Sequence, residues 1–269
     1  MSSRVQNAGL TALVVLSLVI VGFALRTPAA PVLDSGPATT APAASSTAQS
    51  PQVSASAPTS PAPSASPSPS PSASIGQGST VAFLGDSFAA GAGASAPDKR
   101  WTTLVSTKNG WAETNLAHAQ TGYVQAGSLG TCTPKVCAPF TAVVPKAVAA
   151  KPRLVIITGG ANDVNQGQSA VAAAVTQTVS ELKAGLPDAT IVVTNPWWDL
   201  RPTNPNLAGY TTTIRTAATN AGAIWAETGQ PLATPALMKD DGVQPNDEGH
   251  AALAAAITSA LERAGIVTQ

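Results

Sequence analysis

The segment Gly85-Asp86-Ser87 places a serine between a short apolar run and a stretch of small residues. Residues 81–84 are apolar and long enough for a buried strand, and the small residues after Ser87 are typical of a turn into a helix. A hydroxyl at the start of a helix lies beside backbone N–H groups that suit a developing oxyanion. The pattern is consistent with a nucleophilic serine, although strand-glycine turns are common in α/β proteins.

Two later segments make the pattern more specific. A second apolar run, 154–158, ends in Gly159-Gly160-Ala161-Asn162-Asp163, and Asp240 to His250 precede an alanine-rich helix. Gly-Asp-Ser, a Gly-Tyr loop at 122–123, Gly-x-Asn-Asp and Asp-Gly-x-x-Pro-Asn-x-x-Gly-His occur in this order. In this order they resemble the four sequence blocks of the SGNH (GDSL-type) hydrolases, over roughly residues 79–265.

The resemblance implies a role for each block. Ser87 would be the nucleophile, and the oxyanion donors would be the N–H groups of Ser87 and Gly122 and the side chain of Asn162. Asp241 would orient the catalytic base. A simpler interpretation of Asn162-Asp163 is a turn or N-cap pair before the next helix. Within the family pattern, we expect Asn162 to face the site and Asp163 to brace its loop.

One position departs from the pattern, because Gln244 stands where the family has its catalytic histidine. An amide has no useful basicity at neutral pH, so Gln244 cannot accept the serine proton. It could keep the geometry by donating to Asp241 and accepting from Ser87. His118, four residues before Gly122, is a candidate substitute base, with a hydrogen-bonded loop histidine as the simpler alternative. We expect His250 to pack or cap at the last helix.

Four more residues are candidates near the site. Trp197 and Trp198 follow a predicted strand and would line an acyl or sugar pocket, or one of them would fill the core. Cys132 and Cys137 are the only cysteines, and in an exported domain they would form a disulfide. No spacing joins cysteines and histidines into a metal site, and we expect neither a metal nor a cofactor.

The composition separates three regions. Residues 1–26 contain an apolar stretch that predicts a signal peptide or an uncleaved membrane anchor, and 27–78 form a disordered linker rich in Pro, Ala, Ser and Thr. Residues 79–269 are long enough for one folded domain. This order favours a protein that is secreted or anchored to the outer face of the cytoplasmic membrane. The net charge of zero predicts no nucleic-acid partner, and we expect a monomer.

Apolar strands alternate with helices along 79–269, which predicts a mostly parallel sheet in a three-layer α/β/α sandwich, flavodoxin-like in arrangement. Loops at the carboxyl ends of such strands meet at one edge, where Ser87, Gly122 and Asn162 would converge. The sequence therefore predicts an extracytoplasmic SGNH-type esterase acting on small acyl esters or acetylated polysaccharide. The alternatives are a catalytically lapsed domain that binds an ester or cell-wall glycan, and a spacer domain without either activity.

Overall fold

The computed structural model describes residues 74–128, 132 and 136–268, with side chains up to residue 266. The predicted membrane segment and most of the predicted linker lie outside this range. No helix of the described part is long and apolar enough to cross a membrane. The strands are β1 (Ser74–Ile75), β2 (Thr80–Gly85), β3 (Ala112–Asn115), β4 (Leu154–Thr158), β5 (Thr190–Thr194), β6 (Ile224–Ala226) and β7 (Val267–Thr268). The α-helices are α1 (Ser87–Ala90), α2 (Trp101–Asn109), α3 (Phe140–Ala149), α4 (Gln168–Gly185), α5 (Leu207–Asn220) and α6 (Asp247–Arg263).

Five strands form the central sheet in the order β3-β2-β4-β5-β6, and every neighbouring pair is parallel. Side chains alternate between the two faces of a strand, so each face of β2 has its own core. Ala82 and Leu84 pack in a cluster with α3, α4 and α5, whereas Val81 and Phe83 pack in a cluster with α2 and α6. The predicted three-layer α/β/α arrangement is confirmed.

The carboxyl ends of β2 and β4 approach each other closely. A Cβ atom on Gly85 would lie 2.7 Å from the carbonyl oxygen of Thr158, so only glycine fits at this point. Gly159 and Gly160 then turn the chain with φ values of 128° and 102°, a region that strongly favours glycine. The segments that carry Ser87 and Asn162 therefore leave the sheet side by side.

The apolar run 154–158 matches β4 residue for residue, and the run 81–84 lies within β2, which extends one residue further at each end. A two-stranded parallel ladder, β1 with β7, was not predicted. Ile75 is buried against the α2 and α6 core, and Trp111 Nε1 donates to its carbonyl oxygen at 3.5 Å. The folded domain thus includes Ser74 and Ile75, which composition alone assigned to the linker.

Candidate active site

A cavity of about 570 Å³ opens at the carboxyl edge of the sheet. It collects residues from four separate loops and from the start of α1. The lining residues include Asp86, Ser87, Gln120, Gln125, Asn162, Trp197, Trp198, Asp199, Arg201 and Gln244. The cavity brings the predicted nucleophile, the predicted amide donor, both tryptophans and Gln244 together, while Gly122, Asp241 and His118 do not line it.

Ser87 is the first residue of α1, and the preceding residue fixes how that helix starts. The Asp86 carboxylate accepts a hydrogen bond from Phe88 N at 3.0 Å and caps the helix. The Ser87 side chain faces the cavity, where its Oγ accepts a hydrogen bond from Gln120 N at 2.9 Å. A backbone N–H group is therefore already directed at the atom that would attack an acyl carbon.

Gln120 contacts Ser87 through its backbone N–H, which the sequence did not predict. Its φ of 63° is positive, which a residue with a Cβ adopts at a cost of roughly 1 kcal/mol. The N–H of Gly122, the expected donor, is instead donated to the carbonyl oxygen of Gln125 at 2.8 Å. The sequence does not identify Gln120, because glycine and asparagine are the residues that usually indicate a left-handed backbone conformation.

Asp163 holds the loop that contains Gly122. Its carboxylate accepts three backbone hydrogen bonds, from Tyr123, Val124 and Gln125, at 2.7 to 3.0 Å. A Cβ on Gly122 would lie 2.4 Å from this carboxylate, which explains the glycine at that position. Asp163 is fully buried, and the burial raises its pKa. It braces the loop, as expected from the sequence.

Asn162 lies in a 3₁₀ turn, 161–163, beside Ser87. Its Nδ2 donates one hydrogen bond to the carbonyl oxygen of Thr121 at 2.9 Å. An amide nitrogen carries two N–H groups, so this bond orients the side chain and leaves a second donor. Asn162 thus faces the cavity and does not act as a helix cap, since α4 begins after Gly167.

Asp86 is the most strongly perturbed carboxyl group of the cavity. Burial raises its pKa to about 7, and the nearby charge of Asp163 acts in the same direction, against the hydrogen bond from Phe88. Near neutral pH this carboxyl is present in both protonated and ionised forms. The sequence predicted its position but not this property, which depends on burial.

Asp241 and Gln244 form a turn, and Gln244 in this turn lines the cavity. Asp241 Oδ1 accepts hydrogen bonds from Val243 N at 2.8 Å and Gln244 N at 3.0 Å, and these bonds lower its pKa. The carboxylate is exposed. Among the described residues, the Gln244 side chain makes no hydrogen bond to Asp241 or Ser87, so neither of the two bonds considered from the sequence is formed.

His118 follows β3 and points away from the cavity. Its Nδ1 lies 3.4 Å from Sγ of Cys132, and burial, followed by the charge of Lys146, lowers its pKa. The predicted disulfide between Cys132 and Cys137 is confirmed. His250 is fully buried, with Trp101 N donating to its Nδ1 at 3.4 Å and Nε2 at 3.0 Å from the carbonyl oxygen of Ala92, so it packs as expected.

The two tryptophans differ in environment. Trp197 is buried, contacts Trp101 edge to face at 5.6 Å and donates its Nε1–H to Thr228. Trp198 is partly exposed, and the Arg201 guanidinium lies 5.4 Å from its ring centroid. Asp199 holds this guanidinium through hydrogen bonds of 2.6 to 2.9 Å. The opposite charges of Asp199 and Arg201 offset each other at the cavity surface beside Trp198. The sequence did not predict this ion pair.

The sequence profile of the GDSL-like Lipase/Acylhydrolase family matches residues 83–252, more than half of the chain. A comparison with curated protein sequences finds no match. Among solved structures, the chain is similar to a family two carbohydrate esterase from Clostridium thermocellum in complex with cellohexaose (TM-score 0.54, 16% identity, covering 70% of this chain and 65% of that one). It is also similar to an acetylxylan esterase, Axe2, from Geobacillus stearothermophilus (TM-score 0.51, 17% identity, covering 72% and 99%).

A third similar structure is TesA (TM-score 0.52, 17% identity, covering 69% of this chain and 99% of that one). At these identities the structural likeness shows the fold, and the family follows from the sequence profile. The matched range contains Ser87, Asn162 and Gln244, the last three residues of β2 and the whole of β3, β4, β5 and β6. The chain therefore belongs to the GDSL-like lipase/acylhydrolase family.

Proposed function

We propose that this protein is a slow extracytoplasmic serine esterase that acts on small acyl esters, including O-acetyl groups of polysaccharides, with Ser87 as its nucleophile. The observation that carries the proposal is the hydrogen bond from Gln120 N to Ser87 Oγ at 2.9 Å inside the cavity. It shows a serine hydroxyl and a backbone donor already in contact. The N–H of Ser87 at the start of α1 and the Asn162 amide would provide further donors for the oxyanion.

In the proposed reaction, Ser87 Oγ attacks the acyl carbon and the carbonyl oxygen becomes an oxyanion beside these donors. The leaving alcohol departs with a proton, and water then hydrolyses the acyl-enzyme. The Ser87 proton must pass to water, because Gln244 cannot accept it. Sites that keep their oxyanion donors but lose the triad retain on the order of 10³ to 10⁴ over the uncatalysed rate. Slow turnover is the expected consequence.

The shape and lining of the cavity favour small esters of neutral compounds. Amide side chains of Gln120, Gln125, Asn162 and Gln244 provide uncharged donors and acceptors, and Arg201 is neutralised by Asp199. Trp198 offers an aromatic surface of the kind on which sugar rings stack. The similar structures include esterases of carbohydrate and of acetylxylan, which supports O-acetyl polysaccharide as the substrate class.

The second candidate is a binding protein that has lost turnover. Gln244 favours it, since the group that should accept the serine proton has none of the necessary basicity. Such a protein would use the same cavity to hold an ester or a cell-wall glycan. The N-terminal sequence, with its apolar stretch and Pro-rich linker, supports an extracytoplasmic location for either function.

Hydrolysis of a short-chain aryl acetate and binding of an O-acetylated xylo-oligosaccharide, measured with the full chain, separate the two functions. Ester hydrolysis that exceeds the blank and is abolished in Ser87→Ala supports the esterase. Saturable oligosaccharide binding that Ser87→Ala retains, without ester hydrolysis, supports the binding protein. Absence of both activities in a folded wild type would overturn both proposals.

A further inference from the structure

Three side chains with metal-binding atoms lie close together near the loop that contains Gln120. Nδ1 of His118 and the Sγ atoms of Cys132 and Cys137 all lie within 4.8 Å of one another. The sequence analysis predicted no metal site, because no regular spacing joins these residues. The fold brings them together, because Cys132 returns to the neighbourhood of His118, where the distance between His118 Nδ1 and Cys132 Sγ is 3.4 Å.

One of these distances, from His118 Nδ1 to Cys132 Sγ, is close to that of a tetrahedral zinc site. Zinc binds sulfur at about 2.3 Å and nitrogen at about 2.0 to 2.1 Å, which places a sulfur and a nitrogen ligand about 3.6 Å apart and two sulfur ligands about 3.8 Å apart. The His118 nitrogen is therefore already at ligand separation from Cys132. The two sulfur atoms are joined in a disulfide, which prevents both from binding a metal.

The backbone around two of the three residues is held in place. His118 N donates to the carbonyl oxygen of Gly85, at the end of β2, at 3.1 Å, and the His118 carbonyl accepts from Thr121 Oγ1 at 2.7 Å. The Cys137 carbonyl accepts from Gly127 N at 2.9 Å, and Cys137 is almost fully buried. None of these hydrogen bonds involves a sulfur atom. Because the disulfide spans a sequence separation of 5, its loss removes little constraint from the chain as a whole.

We propose that reduction of the Cys132–Cys137 disulfide opens a zinc-binding site formed by two thiolates and the His118 imidazole. A dithiol reductant transfers two electrons and two protons to the disulfide; the S–S bond breaks, two thiols form, and the dithiol becomes a disulfide. Zinc then binds both sulfur atoms and Nδ1, and the two thiol protons are released to water. A water molecule completes the four-coordinate site. The oxidised protein does not bind the metal, so the site is available only under reducing conditions.

The experiment uses Co²⁺ as a visible probe for the zinc site. The full chain is reduced with excess dithiol, freed of it under anaerobic conditions and titrated with Co²⁺, with the oxidised protein titrated in parallel as the matched control. Reduced wild type is expected to bind one Co²⁺ per chain with thiolate-to-cobalt absorption, and Zn²⁺ is expected to displace it. Oxidised wild type and the double variant Cys132→Ser/Cys137→Ser are expected to show no such absorption.

His118→Asn tests the imidazole separately. We expect it to keep the fold and to bind Co²⁺ at least about tenfold more weakly when reduced, because changes even outside the ligand shell weaken metal sites by about 10 to 100-fold. His118→Gln serves as a second variant if the first does not fold. Cobalt binding by reduced wild type no stronger than that of the double serine variant would overturn the proposal. Undiminished binding by the folded His118 variant, or loss of the circular dichroism spectrum on reduction, would also overturn it.

Discussion

On the side of the cavity that carries Ser87, two aspartates are buried and organise backbone N–H groups, Asp86 at the start of α1 and Asp163 under the loop at 122–125. At the turn that carries Gln244, Asp241 is exposed and holds only the turn that contains it. Burial raises the pKa of the first two carboxyl groups, whereas hydrogen bonds from the backbone lower the pKa of the third.

The difference concerns two separate requirements of acyl-transfer chemistry. Stabilising an oxyanion requires fixed N–H donors, and on the Ser87 side two buried aspartates hold the backbone that would supply them. Moving the serine proton requires a basic side chain held by a carboxylate, and the Gln244 side has neither the base nor a contact between side chain 244 and Asp241. The Ser87 side thus presents Gln120 N and the Asn162 amide, with the N–H of Gly122 bound to Gln125, and the Gln244 side lacks a base. Four experiments test this contrast, beginning with the largest expected effect.

The substitution Gln244→His should supply the general base that the Gln244 side lacks. The side chain at 244 lines the cavity, so an imidazole there would accept the Ser87 proton. We expect kcat for an aryl acetate to rise by about 10² to 10⁴-fold, the usual contribution of a general base, and to increase with pH through the histidine pKa. Gln244→Asn is the control and should change little. A rise that persists in the additional Ser87→Ala variant would contradict the assignment.

Asp163→Ala and Asp241→Ala compare the two kinds of carboxylate directly. Removing Asp163 leaves three backbone N–H groups without their partner, which we expect to lower the free energy of unfolding by on the order of 3 kcal/mol. Removing the exposed Asp241 should lower it by less than about 1 kcal/mol. Urea unfolding at neutral pH measures both. Equal losses would mean that burial does not distinguish the two sides.

Asp86→Asn tests the raised pKa through the pH dependence of stability. The pKa of Asp86 rises from 3.8 to about 7 on folding, so between these values the unfolded state releases a proton that the folded state keeps. Wild-type stability relative to Asp86→Asn should therefore fall as the pH rises from 4 to 7, by on the order of 3 kcal/mol, and level off above about pH 8. Asp188→Asn, at an exposed position, is the control. A stability difference independent of pH would refute the explanation.

Gln120→Gly should have the smallest effect. It relieves the positive φ of 63° while keeping the N–H that contacts Ser87, so we expect stability to rise by roughly 1 kcal/mol and ester turnover to stay within about twofold. Lys151→Gly is the matched control, because Lys151 has a φ of 48° and lies away from the cavity. A loss of turnover in Gln120→Gly alone would show that the Gln120 side chain, and not only its backbone, acts at the site.

The sequence predicted those parts of the molecule that depend on local pattern. Continuous apolar runs and glycine turns located β2, β4 and β5, and the ordered blocks located Ser87 and Asn162 at the cavity. Gln120 could not be predicted, because the position of its N–H beside Ser87 depends on how the whole loop folds. The glycine in this loop, Gly122, marks the close approach to Asp163 and not the contact with Ser87. The Asp199–Arg201 pair and the cluster at His118 depend on contacts between side chains, which follow from the fold and leave no regular spacing.

The Gln244 substitution was visible in the sequence, but its geometry was not. Two hydrogen bonds were considered for its side chain, to Asp241 and to Ser87, and the structure forms neither. Asp241 Oδ1 instead accepts hydrogen bonds from the backbone N–H groups of Val243 and Gln244. A local turn of this kind is favoured by the short aspartate side chain.

The ladder between β1 and β7 determines how the domain meets the chain that precedes it. Ser74–Ile75 is the first described segment, and it pairs with Val267–Thr268, so the two ends of the domain are hydrogen-bonded to each other. Tension that arrives along the preceding residues is borne first by this short ladder and by Ile75 in its buried site. Strand β2, which leads towards Ser87, follows only after the turn at Gly76 to Gly78, so a pull on the preceding chain would reach this strand after the ladder.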